Sequence, residues 1–159
     1  MSLVIREAVP GDAEGAGRVN AQVWREAYRG IVSDEWIANV SDDERIARWH
    51  GHLADPSRGR RWVALVDDEV VGFAASGPSR DAPRVRDLEL WSVYLLEAHS
   101  RRGIGTALVE ASIGAGPASL WVVEGNVRAQ AFYRALGFEP DGATQDVEDW
   151  GVNEIRMVR

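Results

Sequence analysis

Between Leu88 and Val123 the chain runs strand, glycine turn, helix, strand, and this succession constrains the fold more than any other feature. Leu88 to Leu96 reads as a strand, and a helix follows from about Ile104 to Ala115 with Leu108 and Ala111 inward. Gly116-Pro117 stops that helix, and Leu120-Trp121-Val122-Val123 is a short buried strand. Two strands joined through a helix lie parallel, because the return over the sheet needs a crossover.

The flanking segments fill out a mixed sheet. Leu3-Val4-Ile5 with Arg6 and Glu7 begins as a strand, closed by Pro10-Gly11-Asp12. Ala16, Val19, Val23 and Ala27 then recur at helical spacing, with Trp24 and Tyr28 on the shoulder of the stripe, although Gly15 and Gly17 weaken its start. Ser33 to Val40 is a short helix. Ser41-Asp42-Asp43-Glu44 has capping-box spacing and opens another, with Ile46, Trp49 and Leu53 on one face. Trp62 to Val66 and Val70 to Ala75 form a hairpin across Asp67-Asp68-Glu69. Asn126 to Leu136 is a helix ending at Gly137, and Phe138 onward and Glu154 to Val158 supply the last strands. The principal order is β-α-α-β-β-β-α-β-α-β-β, an α/β (α+β) arrangement with a mixed central sheet flanked by helices.

With 159 residues and no internal repeat or long linker, residues 1–159 form a single expected domain, and 45% hydrophobic content supplies its core. The absence of cysteine removes thiol nucleophiles, cysteine-type metal sites and disulfide frameworks, and fits a reducing cytoplasm. No export-type apolar segment or membrane-length stretch interrupts the charged residues, so the expected protein is cytoplasmic with no membrane partner. The formal charge is −7 and the pI is near 5.0, which argues against a nucleic-acid surface and is compatible with a cationic substrate.

The sharpest chemical signal is Ser100-Arg101-Arg102-Gly103-Ile104-Gly105-Thr106. Its glycines stand between a strand and a helix N-terminus, where free N–H groups and the helix dipole favour an anion, best a phosphate. Arg101 and Arg102 add positive charge. A P-loop is excluded because no Gly-Lys-Ser/Thr follows, and a dinucleotide fingerprint fails because Leu108 takes the place of its third glycine. A plain tight turn is the competing reading.

Gly103-Ile104-Gly105 after the strand resembles motif A of the GCN5-related N-acetyltransferases (GNAT), with Ser100 where that family usually has Arg or Gln. The stretch Leu120 to Phe138, with Asn126, Ala129, Phe132-Tyr133 and Gly137-Phe138, is similar to the family's later strand–helix segment, and the element order matches throughout. The resemblance implies the acyl-CoA N-acyltransferase fold and acetyl-CoA as co-substrate, with no metal. The cofactor would lie where the strand of Val93, Tyr94 and Leu95 splays from that of Leu120 to Val123. Backbone groups of Val93 and Leu95 would pair with the pantetheine arm. Ser100, Arg101, Arg102, Gly103, Ile104, Gly105 and Thr106 would hold the pyrophosphate, and Asn126 would touch the cofactor arm while capping its helix.

The implied activity is an acetyl-CoA-dependent N-acetyltransferase moving acetyl directly to a primary amine of a small molecule or peptide. An alkyl amine is protonated at neutral pH, so a base must collect its proton. Glu89 is the first candidate; Asp87 on the same face or a water chain is the fallback, and an ion pair with Arg84 or Arg86 is the structural alternative for Glu89. Strand alternation places Glu89, Trp91 and Val93 on one face. A backbone N–H near Leu95 would meet the developing oxyanion. Tyr133 would protonate the leaving thiolate, although it also fits a packing stripe with Ala129, Phe132 and Leu136.

The acceptor is less legible. Trp24, Tyr28, Trp36 and Trp49 would be either core or the aromatic wall of a pocket for a cation, and Trp24, Tyr28 and Glu89 are the candidate substrate contacts. His50 and His52 diverge on their helix, which excludes a shared metal and assigns both to the surface. The acidic run through Glu139, Asp141, Asp146, Glu148, Asp149 and Glu154 would draw an amine or serve as a solvated face. A monomer or homodimer is expected. The alternative to an enzyme is a non-catalytic acyl-CoA-binding or interaction module with the same fold.

Overall fold

The computed structural model describes residues 1–159 and contains one seven-stranded sheet in the order β1-β2-β3-β4-β5-β7-β6. The strands are β1 (Leu3–Glu7), β2 (Arg60–Val66), β3 (Glu69–Pro78), β4 (Leu88–Leu95), β5 (Ser119–Val123), β6 (Glu139–Val147) and β7 (Val152–Val158). The helices are α1 (Ala13–Ala27), α2 (Asp34–Ala38), α3 (Asp42–Ala54), α4 (Ile104–Ile113) and α5 (Val127–Ala135). The short α2 stands as an element of its own, so three helices precede β2. Only β4 and β5 run parallel, as the central crossover requires.

Local chemistry sets the boundaries. The Oγ of Ser33 accepts from Trp36 N and that of Ser41 from Glu44 N, so both helices begin on a side-chain cap. Asp67 and Asp68 both take left-handed φ values at the β2–β3 hairpin, the twist a two-residue turn needs. Gly17 weakens α1 by propensity but permits its closest crossing: a Cβ there would lie 2.5 Å from the Cα of Ile46 on α3.

The sheet separates two layers. On one side α4 and α5 cover Leu90, Leu108, Leu120, Phe138 and Met157; on the other, α1 and α3 cover Val63 and Phe73 with Val19, Val23 and Trp49. A third cluster joins Trp24, Tyr28, Val32 and Val123, with Trp36 and Trp150 packed against it. Trp24 meets Tyr28, Trp36 and Trp150 at centroid distances of 4.1, 4.7 and 4.6 Å.

One alternation expected of β4 fails. Ala75 pairs with Ser92 but Ser76 pairs with Leu90, so Trp91 is an extra residue in the strand. Beyond this bulge Val93 and Leu95 turn to the α4 side, whereas Ser92 and Tyr94 face α1 and α3. Glu89 and Val93 therefore do not share a face.

Candidate active site

The β4–β5 ladder contains two residue pairs, Glu89 with Ser119 and Leu90 with Leu120, and then the strands diverge. On its other edge β4 stays paired to β3 as far as Gly72–Leu95, and Leu96 N donates to Val71 O. Antiparallel pairs alternate, so this bond turns the polar groups of Tyr94 and Ser92 toward β3 and those of Val93 and Leu95 toward the gap. The gap thus presents backbone donors and acceptors along one wall. On the other wall Gln130 Nε2 donates to Val123 O and Glu124 O at 3.3 and 2.7 Å, fastening α5 to the end of β5. Gln130 was not singled out from sequence; a buried glutamine reads there as an ordinary helix residue.

The glycine turn closes one end of this gap. Arg101 and Gly103 take φ values of 61° and 77°, and α4 starts after Gly103 with no side-chain cap on its first N–H groups. The first amides of a helix have no intrahelical partner and stand at the positive end of its dipole, a fit for a pyrophosphate. Arg101, Arg102 and Gly103 are exposed, Gly105 and Thr106 half-buried, and Ile104 is fully buried in the core, so Ile104 offers only its backbone. Gly105 packs against Phe132, where a Cβ would approach to 3.3 Å. Ser100 Oγ donates to Glu97 O at 2.7 Å and closes its own turn. Arg128 Nη2 donates to that same Oγ at 3.3 Å, and its Nη1 pairs with Glu97. Arg128 is a third cation beside the turn that spacing alone does not reveal, because α5 is distant in sequence.

The three tyrosines of the chain meet near the gap. Burial and the neighbouring Tyr94 push the Tyr133 hydroxyl well above its ordinary range. Burial raises Tyr28 likewise, with Tyr94 and Tyr133 adding to it, and burial raises Tyr94. All three therefore stay neutral donors across the physiological range. Asn126 Oδ1 accepts from Ala129 N at 3.1 Å as the α5 cap, which leaves its Nδ2 to donate elsewhere.

Glu89 is 1% exposed, and its partner is Arg80, not Arg84 or Arg86. Arg80 donates its backbone N–H to Oε1 at 2.9 Å and its guanidinium to Oε2 at 2.7 Å. Glu89 thus sits at the closed end of the gap with both oxygens engaged. Asp87 precedes β4 and is exposed. Trp24, 2% exposed, is core and offers no ring surface to a substrate; Tyr28 is buried with it. The cation over Trp24 is the protein's own Arg45, 5.2 Å from its centroid and 5.9 Å from that of Trp36. In the acidic run, Asp141 is taken by Arg156 at 2.7 Å. No group of three His, Asp or Glu residues is placed to hold a metal ion.

Residues 22–138 match the model of the acetyltransferase (GNAT) family. The chain belongs to the GNAT acetyltransferases. It is 29% identical over 153 residues to the uncharacterized N-acetyltransferase YuaI of Bacillus subtilis, covering 91% of this chain and 83% of that protein. An uncharacterized N-acetyltransferase of Mycobacterium tuberculosis is 33% identical over 138 residues, covering 82% and 85%. Among solved structures, the PaiA N-acetyltransferase of Thermoplasma acidophilum in complex with coenzyme A superposes with a TM-score of 0.68 at 22% identity, over 98% of each chain. In this GNAT member the diverging strands β4 and β5 open a gap toward the uncapped α4 terminus.

Proposed function

We propose that the protein transfers the acetyl group of acetyl-CoA to a primary amine by direct attack. The observation that carries this is the two-pair β4–β5 ladder, which leaves the gap-facing backbone groups of Val93 and Leu95 without a partner on β5, along a gap that ends at the uncapped N-terminus of α4. The coenzyme A complex of the structurally similar Thermoplasma protein supports a cofactor of that kind for this fold.

Val93 and Leu95 hold the pantetheine arm through their backbone groups, and the amides from Gly103 to Thr106 hold the pyrophosphate with Arg101, Arg102 and Arg128 nearby. Bound acetyl-CoA supplies an activated acyl carbon and a thiolate leaving group. The amine nitrogen forms a bond to that carbon as the carbon–sulfur bond breaks; the amine loses a proton and the departing sulfur gains one. A Leu95-region N–H faces the carbonyl oxygen as negative charge develops there. Tyr133 donates to the sulfur. Glu89 receives the amine proton through water, since Arg80 blocks direct approach to its carboxylate.

The test is thiol release from acetyl-CoA with a panel of amines. Acetylation of at least one amine, with one thiol released per acetyl transferred, is expected. Cofactor binding without acetylation of any amine would instead identify a non-catalytic acyl-CoA-binding module.

A further inference from the structure

On the α1/α3 side of the sheet lies a pocket of about 130 Å³ that the mechanism above does not use. Its floor is one row across three strands, Arg61 of β2, Ala75 of β3 and Ser92 of β4, which pair in register. Its roof is one face of α3, where Arg45, Arg48, Trp49 and His52 recur at i, i+3, i+4 and i+7. Three arginines and a histidine line it, and no carboxylate does.

This is unusual for the chain. Its formal charge is −7, yet Arg45, Arg48 and Arg61 form no ion pair, whereas Arg25, Arg58 and Arg60 beside them each find an acid. Arg61 is 9% exposed and its guanidinium donates to the Arg58 carbonyl alone; Arg45 donates to Asn20 Oδ1. His52 is half-buried, not a surface residue as its spacing from His50 suggests, and its Nδ1 is shielded from water without a partner. A buried Arg61 and a half-buried Arg45 around one small space that no carboxylate lines are costly unless an anion completes them. Burial, then Arg61, Arg58 and Arg48, hold the His52 pKa below its ordinary value, which an incoming anion would reverse.

The pocket adjoins the reacting site. Ser92 in its floor lies just past the point where β4 leaves β5, one residue before Val93 on the gap. We propose that the acceptor is an amine bearing an anionic oxygen group, a carboxylate or a phosphate, which Arg48, Arg61 and His52 bind in this pocket. This rests on the acetyl-transfer reading and narrows it: a purely cationic amine would be repelled here.

The experiment compares amino carboxylates of increasing chain length with their carboxamides, and ethanolamine with phosphoethanolamine, as acceptors. The expected result is a kcat/KM about tenfold or more higher for the anionic member of at least one pair, carried mainly by KM. The carboxylate and phosphate arms separate the two sources of anion. Arg61→Gln and the exposed, fold-neutral Arg48→Gln should each collapse that ratio. Transfer to amines without an anionic preference, or a preference unchanged in Arg48→Gln, overturns the proposal and leaves acetyl transfer intact. If no amine is acetylated, the function reading fails first. Acetate and inorganic phosphate titrated against the protein's histidine NMR signals then decide the pocket, where an upward-shifted His52 is expected and an unmoved one overturns it.

Discussion

The Tyr133 hydroxyl lies where little water reaches, and burial acts on acid and leaving group alike. Desolvation makes the phenol a weaker acid than free tyrosine. The same desolvation raises the affinity for protons of a thiolate departing beside it, so the two remain matched and the phenol still donates. Tyr133→Phe should lower kcat by about a hundredfold while leaving coenzyme A affinity nearly intact, as measured by steady-state kinetics and calorimetric titration. An unchanged kcat would reduce Tyr133 to a packing residue. Glu89 poses the opposite problem, a carboxylate fully engaged by one arginine. Glu89→Gln keeps an acceptor for the Arg80 N–H but cannot take a proton. A loss of about a hundredfold in kcat is expected if proton transfer runs through this residue. A rate within about twofold, where general catalysis contributes far more, would leave the task to water. Both residues are candidates that the sequence offers through its resemblance to the family. The Arg80 partner was not legible there, since it reaches Glu89 from the β3–β4 loop, whose path no periodicity records.

Among the elements, the outcome depended on whether regular geometry persisted. The strand–helix–strand centre, the hairpin and the Ser41 cap follow repeating patterns and were readable from them. The bulge at Trp91 was not, because a single inserted residue leaves alternation looking intact while exchanging the faces beyond it. The polar side of α3 was hidden for a similar reason: Trp49 and Leu53 define an apolar stripe, and the adjoining Arg45, Arg48 and His52 read as its solvent edge until the sheet lies beneath them. Gly17 is a further case, a poor helix residue whose value appears only at the α1–α3 crossing. Gly17→Val would set its side chain against the Ile46 backbone and wedge the helices apart. A loss of about 1–3 kcal/mol in urea unfolding is expected. Because α3 roofs the arginine pocket, a parallel rise in the KM of the acceptor would accompany it. Stability equal to wild type would show that the crossing yields at little cost.

Across the whole molecule the net charge conceals an ordered distribution. All eighteen basic residues are arginine, so the chain has no lysine side chain to serve as its own acceptor. Arg101, Arg102 and Arg128 stand at the glycine turn, and Arg45, Arg48 and Arg61 line the pocket under α3. Two groups, the buried Asp12 and the half-buried His52, link this arrangement to pH. Asp12 is held below the usual carboxylate range: burial opposes ionisation, but Arg6 at 2.7 Å and the Val9 N–H outweigh it. A depressed carboxylate adds stability above its unfolded pKa of about 3.9, and this is lost as pH falls through the lower folded value. His52 is depressed by burial and by arginines, so the unfolded chain takes up a proton first, near pH 6.5. Stability should therefore be full above that point and decline in two stages on acidification, first with His52 and then with Asp12. Urea unfolding from neutral to acid pH measures this. His52→Gln should abolish the first stage alone, and phosphate at millimolar concentration should weaken it, because an anion in the pocket favours the protonated imidazole. A first stage that survives His52→Gln would assign it to another group.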